Sequence, residues 1–85
     1  MSTPNWAPAE QYVPHHLLTE LMWMGTERVG GRQIEQYKHD WTRRYINLDE
    51  RGQAWDIAVH PRTGEVNGRR IPLATALDQL GGESR

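Results

Sequence analysis

Residues 42–60 constrain the fold more than any other part of the chain. Ile46 and Leu48 alternate with polar neighbours, Asp49-Glu50-Arg51-Gly52 supplies turn chemistry, and Trp55, Ile57 and Val59 alternate again. Period-two alternation on both sides of a turn-forming tetrapeptide predicts an antiparallel β-hairpin. With a four-residue loop, Leu48 faces Gln53, Ile46 faces Trp55, Arg44 faces Ile57 and Thr42 faces Val59. That register gathers Ile46, Leu48, Trp55, Ile57 and Val59 on one apolar face. The opposite face then pairs Asn47 with Ala54, Tyr45 with Asp56, Arg43 with Ala58 and Trp41 with His60.

The flanking segments fill out a small α+β domain, a short antiparallel sheet packed with short helices. Pro4, Pro8 and Pro14 with the isolated aromatics Trp6 and Tyr12 disfavour regular structure, so residues 1–13 are expected to form an extended arm. Leu17, Leu21 and Met24 fall at i, i+4, i+7, with Leu18 and Met22 beside them, which predicts a helix over about 14–24, stopped at Gly25. Gly30-Gly31 is a second break. Residues 32–38 suit a third antiparallel strand, although Ile34, Tyr37, Trp41 and Tyr45 also approach a helical spacing. Turns are expected at 60–64 and at Asn67-Gly68, with a short edge strand at Val66 between them. Leu73, Ala76, Leu77 and Leu80 repeat at helical spacing behind Pro72, predicting a helix over about 72–80 that Gly81-Gly82 ends. The domain is placed at 14–82 and a frayed tail at 83–85. No internal repeat is evident.

Composition limits what such a domain can do. A chain of 85 residues with 36% hydrophobic residues and no phenylalanine has a small core, so at least two of its four tryptophans are expected to be packed in it. The net charge of −1 gives no global attraction to nucleic acid or anionic membrane. Nine of the ten basic residues are arginine, whose planar fork suits contact surfaces. Cysteine is absent, which removes disulfides, thiolate metal sites and thiol catalysis and fits a reducing, cytoplasmic setting. No apolar run reaches membrane-span length, and the first residues lack a signal-peptide layout.

Catalytic motifs are sparse. The two serines, Ser2 and Ser84, lie near the chain ends, no carboxylate pair stands out, and Gly30-Gly31 lacks the companions of a phosphate loop, so no catalytic residue and no cofactor are assigned. His15-His16, and His39-Asp40 with His60, are the only arrangements that invite a metal. Neither has a recognised ligand spacing, and no metal ligand is assigned. The sharper candidate is the second hairpin face: Trp41, Arg43 and Tyr45 beside Asp56 and His60, with Tyr37 close by. Trp, Tyr and Arg dominate the energetics of protein interfaces. The first functional reading is therefore a non-enzymatic binding module, an accessory or inhibitor-type protein docking on a larger protein partner. A mobile element's inhibitor of a host defence complex would be one such protein, and self-association would use the same kind of surface. The second reading is a weak RNA or single-stranded DNA binder through Lys38, Arg43, Arg69 and Arg70. The third is a metal-dependent or acid-base enzyme using His39, His60 and Asp56. The plainer structural reading packs Trp41 and Tyr45 under a helix.

Overall fold

The computed structural model describes residues 3–80. Five strands, β1 (Leu21–Val29), β2 (Arg32–His39), β3 (Tyr45–Asp49), β4 (Ala54–Val59) and β5 (Val66–Ile71), form one antiparallel sheet in sequential order. The short helices α1 (Ala7–Tyr12) and α2 (His15–Leu18) precede it, and α3 (Leu73–Leu80) follows. The chain is thus the small α+β fold expected, with more strand and less helix. The expected end of the last helix at Gly81-Gly82 and the tail at 83–85 lie outside the described residues.

The segment 14–24 is only one turn of helix, α2, and its second half begins β1. Leu17, Leu21 and Met24 do fall at helical spacing, but Leu21 and Trp23 also alternate with Met22 and Met24. The sheet uses that period, turning Leu21 and Trp23 inward and both methionines outward. A lone helix of that length is marginal, whereas pairing with β2 bonds the main chain along the strand. Gly30 and Gly31 form the two-residue turn of that hairpin with φ of 57° and 81°. Two successive left-handed residues match the twist of the strands they join, and glycine takes that conformation without steric cost.

The N-terminal segment is part of the core. Residues 7–12 are helical rather than extended, Ala9 and Val13 are buried, and Trp6 packs on Tyr37 with ring centroids 5.2 Å apart. Pro8 stands in the first turn of α1, where a missing N–H breaks no helical bond. The segment is tied to β2 by hydrogen bonds as well. Tyr37 Oη donates to the Asn5 carbonyl at 2.6 Å, and Asn5 Nδ2 donates to Glu35 at 3.2 Å. Glu35 is 1% exposed, and its carboxylate also accepts Trp23 Nε1 (2.9 Å), Thr26 Oγ1 (2.7 Å) and Gln33 Nε2 (2.9 Å). Burial alone would raise its pKa, but these four donors outweigh burial and hold it below the ordinary carboxylate value. Burial pushes the Tyr37 phenol up, far from ionisation.

The central hairpin has a different register from the one the alternation suggests. Asp49 N–H donates to the Gln53 carbonyl at 3.0 Å, and Asp49 Oδ1 accepts the amides of Arg51 and Gln53, both at 2.9 Å. The loop is therefore Glu50-Arg51-Gly52, three residues with left-handed Gly52 (φ 77°) at its end. Asn47 pairs with Trp55 and Leu48 with Ala54. A shift of one residue exchanges the faces of one strand. Ile46, Leu48 and Ala54 share the helix-covered face with Leu21, Tyr37, Ala76 and Leu80, while Trp55, Ile57 and Val59 lie on the other.

That other face is partly closed by curling of the sheet. A side chain at Gly68 of β5 would meet Val29 Cγ1 of β1 at 2.8 Å and Trp55 at 3.2 Å, so the two edge strands approach each other only because position 68 has none. Ile34 is fully buried there, and Asp49 accepts Trp55 Nε1 at 3.1 Å beside the Arg32 guanidinium at 3.6 Å. Trp6 and Trp23 pack against the main core and Trp55 lies half-buried on this second face, so more than one tryptophan is packed as expected.

Candidate functional site

An antiparallel meander places its β2–β3 and β4–β5 loops at the same end of the sheet. In this protein those two loops are built alike, from His39-Asp40-Trp41-Thr42-Arg43 and His60-Pro61-Arg62-Thr63-Gly64. In the first, His39 Nδ1 accepts the amides of Trp41 and Thr42, both at 3.1 Å. In the second, His60 Nδ1 accepts the amides of Arg62 (3.2 Å) and Thr63 (3.3 Å). Each threonine hydroxyl then accepts the amide two residues on, Arg44 at 3.3 Å and Glu65 at 3.2 Å. The histidine main chain closes both loops, donating to the carbonyls of Arg44 and Glu65 at 2.8 Å and accepting the amides of Arg43 (3.0 Å) and Gly64 (2.9 Å). A His-x-x-Thr pattern 21 positions apart is thus a structural repeat that the sequence reading passed over.

The loops differ where it matters for a surface. The fifth residue of each is left-handed, with φ of 76° at Gly64 but 64° at Arg43, the only non-glycine residue of positive φ among the described residues. An L-side chain there costs on the order of 1 kcal/mol that glycine avoids. His39 is buried, and with Nδ1 accepting, its proton sits on Nε2 and donates to Glu20 Oε1 at 2.7 Å. Thr42 Oγ1 and the Arg44 guanidinium cap the end of α3, donating to the carbonyls of Leu80 (3.0 Å) and Gln79 (3.3 Å). The β2–β3 loop is therefore pinned from three sides, and on it Trp41 stands 81% exposed.

The sequence candidates distribute as follows. Trp41 and Arg43 lie in this loop rather than on a strand, and Tyr45, 47% exposed, is the first residue of β3 with Lys38 Nζ 5.7 Å above its ring. His60 belongs to the twin loop at the same end. Neither Trp41 nor Tyr45 is packed under a helix. Asp56 is exposed on β4 and lies 3.7 Å from Arg69, a surface pair of small energetic weight. Tyr37 is a correction: it is fully buried in the core and cannot meet a partner in this conformation. The basic residues do not form one patch, since Arg70 lies opposite Trp55 and Arg69 opposite Asp56 on successive, oppositely facing positions of β5, away from Lys38 and Arg43. His39 and His60 each spend a ring nitrogen on backbone amides of separate loops. Among the described residues no group of three or more histidine and acidic side chains is arranged to hold a metal ion.

Between the two loops the sheet opens. The β3–β4 ladder ends at Asn47–Trp55, although both strands continue, and the gap encloses about 510 Å³ bordered by Tyr45, Ile46, Asn47, Asp56, Ile57 and Val59. Asn47 Nδ2 donates to the Trp55 carbonyl at 3.1 Å where the gap begins, and its Oδ1 is buried without a partner. No helix of the described residues is long and apolar enough to cross a membrane. No protein-family model, curated protein or solved structure matches the chain.

Proposed function

We propose that this protein is a non-enzymatic docking module that binds a larger protein partner through the end of the sheet carrying Trp41, Arg43 and Tyr45. The observation that carries the reading is Trp41, a large apolar ring held in water on a loop that buried His39, Thr42 and Arg44 fix in place. An indole offers more buriable area than almost any other side chain, and a rigid platform loses little entropy when a partner covers it. Arg43 supports the same reading. Its backbone conformation is the one glycine occupies in the twin loop, so its side chain is retained at a cost that folding alone does not require. Exposed Val59 and Tyr45 extend the apolar surface, and Arg43, Arg62 and Lys38 give it a basic rim complementary to acidic residues around the partner's pocket.

The test compares wild-type, Trp41→Ala and Arg43→Gly proteins as bait in extracts of the native source. Trp41→Ala should keep the wild-type stability to within about 0.5 kcal/mol, because it removes no buried contact, and Arg43→Gly should gain on the order of 1 kcal/mol by relieving the left-handed backbone. Both should lose the proteins that the wild type retains. Retention of the same proteins by Trp41→Ala, or salt-labile retention of nucleic acid in place of protein, would overturn the reading.

A further inference from the structure

We infer that the opening between β3 and β4 is a binding site for an extended polypeptide segment, which adds its main chain to the sheet inside the fold rather than at an outer edge. This deepens the docking role proposed above and rests on it for the nature of the partner. In an antiparallel pair, alternate residues turn both main-chain groups toward the neighbouring strand. The bond from Asp49 N–H to the Gln53 carbonyl fixes the phase: Asp49, Asn47 and Tyr45 on one side, and Gln53, Trp55, Ile57 and Val59 on the other, turn toward each other. The ladder stops after Asn47–Trp55, so the amides and carbonyls of Tyr45, Ile57 and Val59 face the opening instead of a partner strand. Asn47 Oδ1 adds an unpartnered acceptor on a side chain that is 93% buried at the narrow end.

These groups define the ligand's chemistry. The donor and acceptor of Tyr45 on one wall, and those of Ile57 and Val59 two residues apart on the other, match the main chain of an extended peptide, which presents both groups to both sides. Ile46, Ile57 and Ile71 line the opening and fit an aliphatic side chain. The walls carry opposite charges, Arg44 beside β3 and Asp56 on β4, so the complementary segment places an acidic residue toward β3 and a basic one toward β4. A planar small molecule would leave most of the strand-edge groups unpaired.

Selection of displayed short random peptides on the wild-type protein, followed by titration of the best-enriched synthetic peptide into isotope-labelled protein, decides the matter. The proposal expects amide shifts centred on Tyr45, Ile57 and Val59 and on the Asn47 side chain, and slowed amide exchange at Ile57 and Val59. It also expects binding at least about tenfold weaker to Ile57→Trp, which fills the opening, and unchanged affinity for Arg28→Ala, an exposed position on β1 away from it. If Ile57→Trp fails to fold, the shift map of the wild type still decides. Failure to enrich any peptide, shifts centred on Trp41 and Arg43, or the same shifts produced by an oligonucleotide would each overturn the assignment. The docking surface at Trp41 stands or falls separately, on whether Trp41→Ala loses the full-length partner.

Discussion

Replacing Glu35 by glutamine tests how the N-terminal segment is held to the sheet. The substitution keeps the shape of the side chain but turns one carboxylate oxygen into an amide that donates. In the native site each oxygen accepts two donors, Trp23 and Thr26 on Oε1, Gln33 and Asn5 on Oε2. If the amide replaces Oε1, the Trp23 indole meets a donor it cannot accept, and if it replaces Oε2, the Gln33 and Asn5 amides must turn over to accept from it. Hydrogen bonds to a charged group contribute about 1.5–3 kcal/mol each and neutral ones about 0.5–1.5 kcal/mol, so removing the charge from four bonds costs about 4–6 kcal/mol. Burying a neutral amide in place of an ion returns part of this, and a net loss of about 2–4 kcal/mol is expected. A domain of 85 residues has a total stability of about 4–13 kcal/mol. The loss is therefore a large share of the whole and will move a urea unfolding midpoint by about 1 M or more at unchanged slope. A change below about 1 kcal/mol would refute the claim that the donors outweigh the burial of this charge.

The same group gives the protein a component of acid sensitivity whose sign follows from its pKa. Glu35 titrates lower in the folded chain than its ordinary value of 4.5. Its contribution to stability is thus complete above that value and is lost as pH falls below it toward the folded-state pKa. Stability measured from pH 7 downward should decline below about pH 4.5 in the wild type, and Glu35→Gln should decline less steeply over that window. Parallel curves would show that other carboxylates carry the effect.

Substitutions at two further positions probe the loops. Gly52→Ala forces an L-residue to φ 77° where the Tyr12 ring occupies the space of a side chain. A loss of about 1–3 kcal/mol by chemical denaturation is expected, and one below about 0.5 kcal/mol would mean the loop relaxes freely. His39→Asn retains an acceptor near the position of Nδ1, whereas His39→Leu leaves the buried-side amides of Trp41 and Thr42 without one. The leucine variant should lose at least about 1 kcal/mol more than the asparagine variant, and equal losses would remove the capping role assigned to His39.

The last helix was legible because it carries a period over several residues, whereas the strand at 32–38 was favoured against the competing helical spacing of Ile34, Tyr37, Trp41 and Tyr45. What escaped the sequence was decided by single side chains. Asp49-Glu50-Arg51-Gly52 accommodates a loop of either three or four residues, and the choice falls to Asp49, whose carboxylate binds two loop amides and the Trp55 indole. Burial of an aspartate to 0% exposure leaves no mark on a hydrophobicity pattern. In 21–24 every residue is apolar, so period two and period 3.6 fit equally and only the partner strand decides. The site was half legible. Trp41, Arg43 and Tyr45 do lie at one end of the sheet, but the repeated His-x-x-Thr loops that hold them were readable only once histidine was treated as a backbone cap rather than a ligand.

The sheet opens where the neighbouring strands hold β3 and β4 apart. Beyond Asn47–Trp55 each strand follows its own partner: β3 stays with β2 through Ile46–Tyr37 and Tyr45–Lys38, while β4 pairs with β5 along its whole length. Ile46 is committed to the core under α3, and Ile57 to the opposite face, where the sheet curls until Gly68 meets Val29. Drawing Tyr45 against Ile57 would require one strand to leave a neighbour with which it is already paired. Ala76 and Gln79 of α3 border the same gap, so the helix end that Thr42 and Arg44 cap also stands beside it. The side chain of Asp49, by choosing the shorter loop, fixes both which residues reach the core and which main-chain groups face the opening.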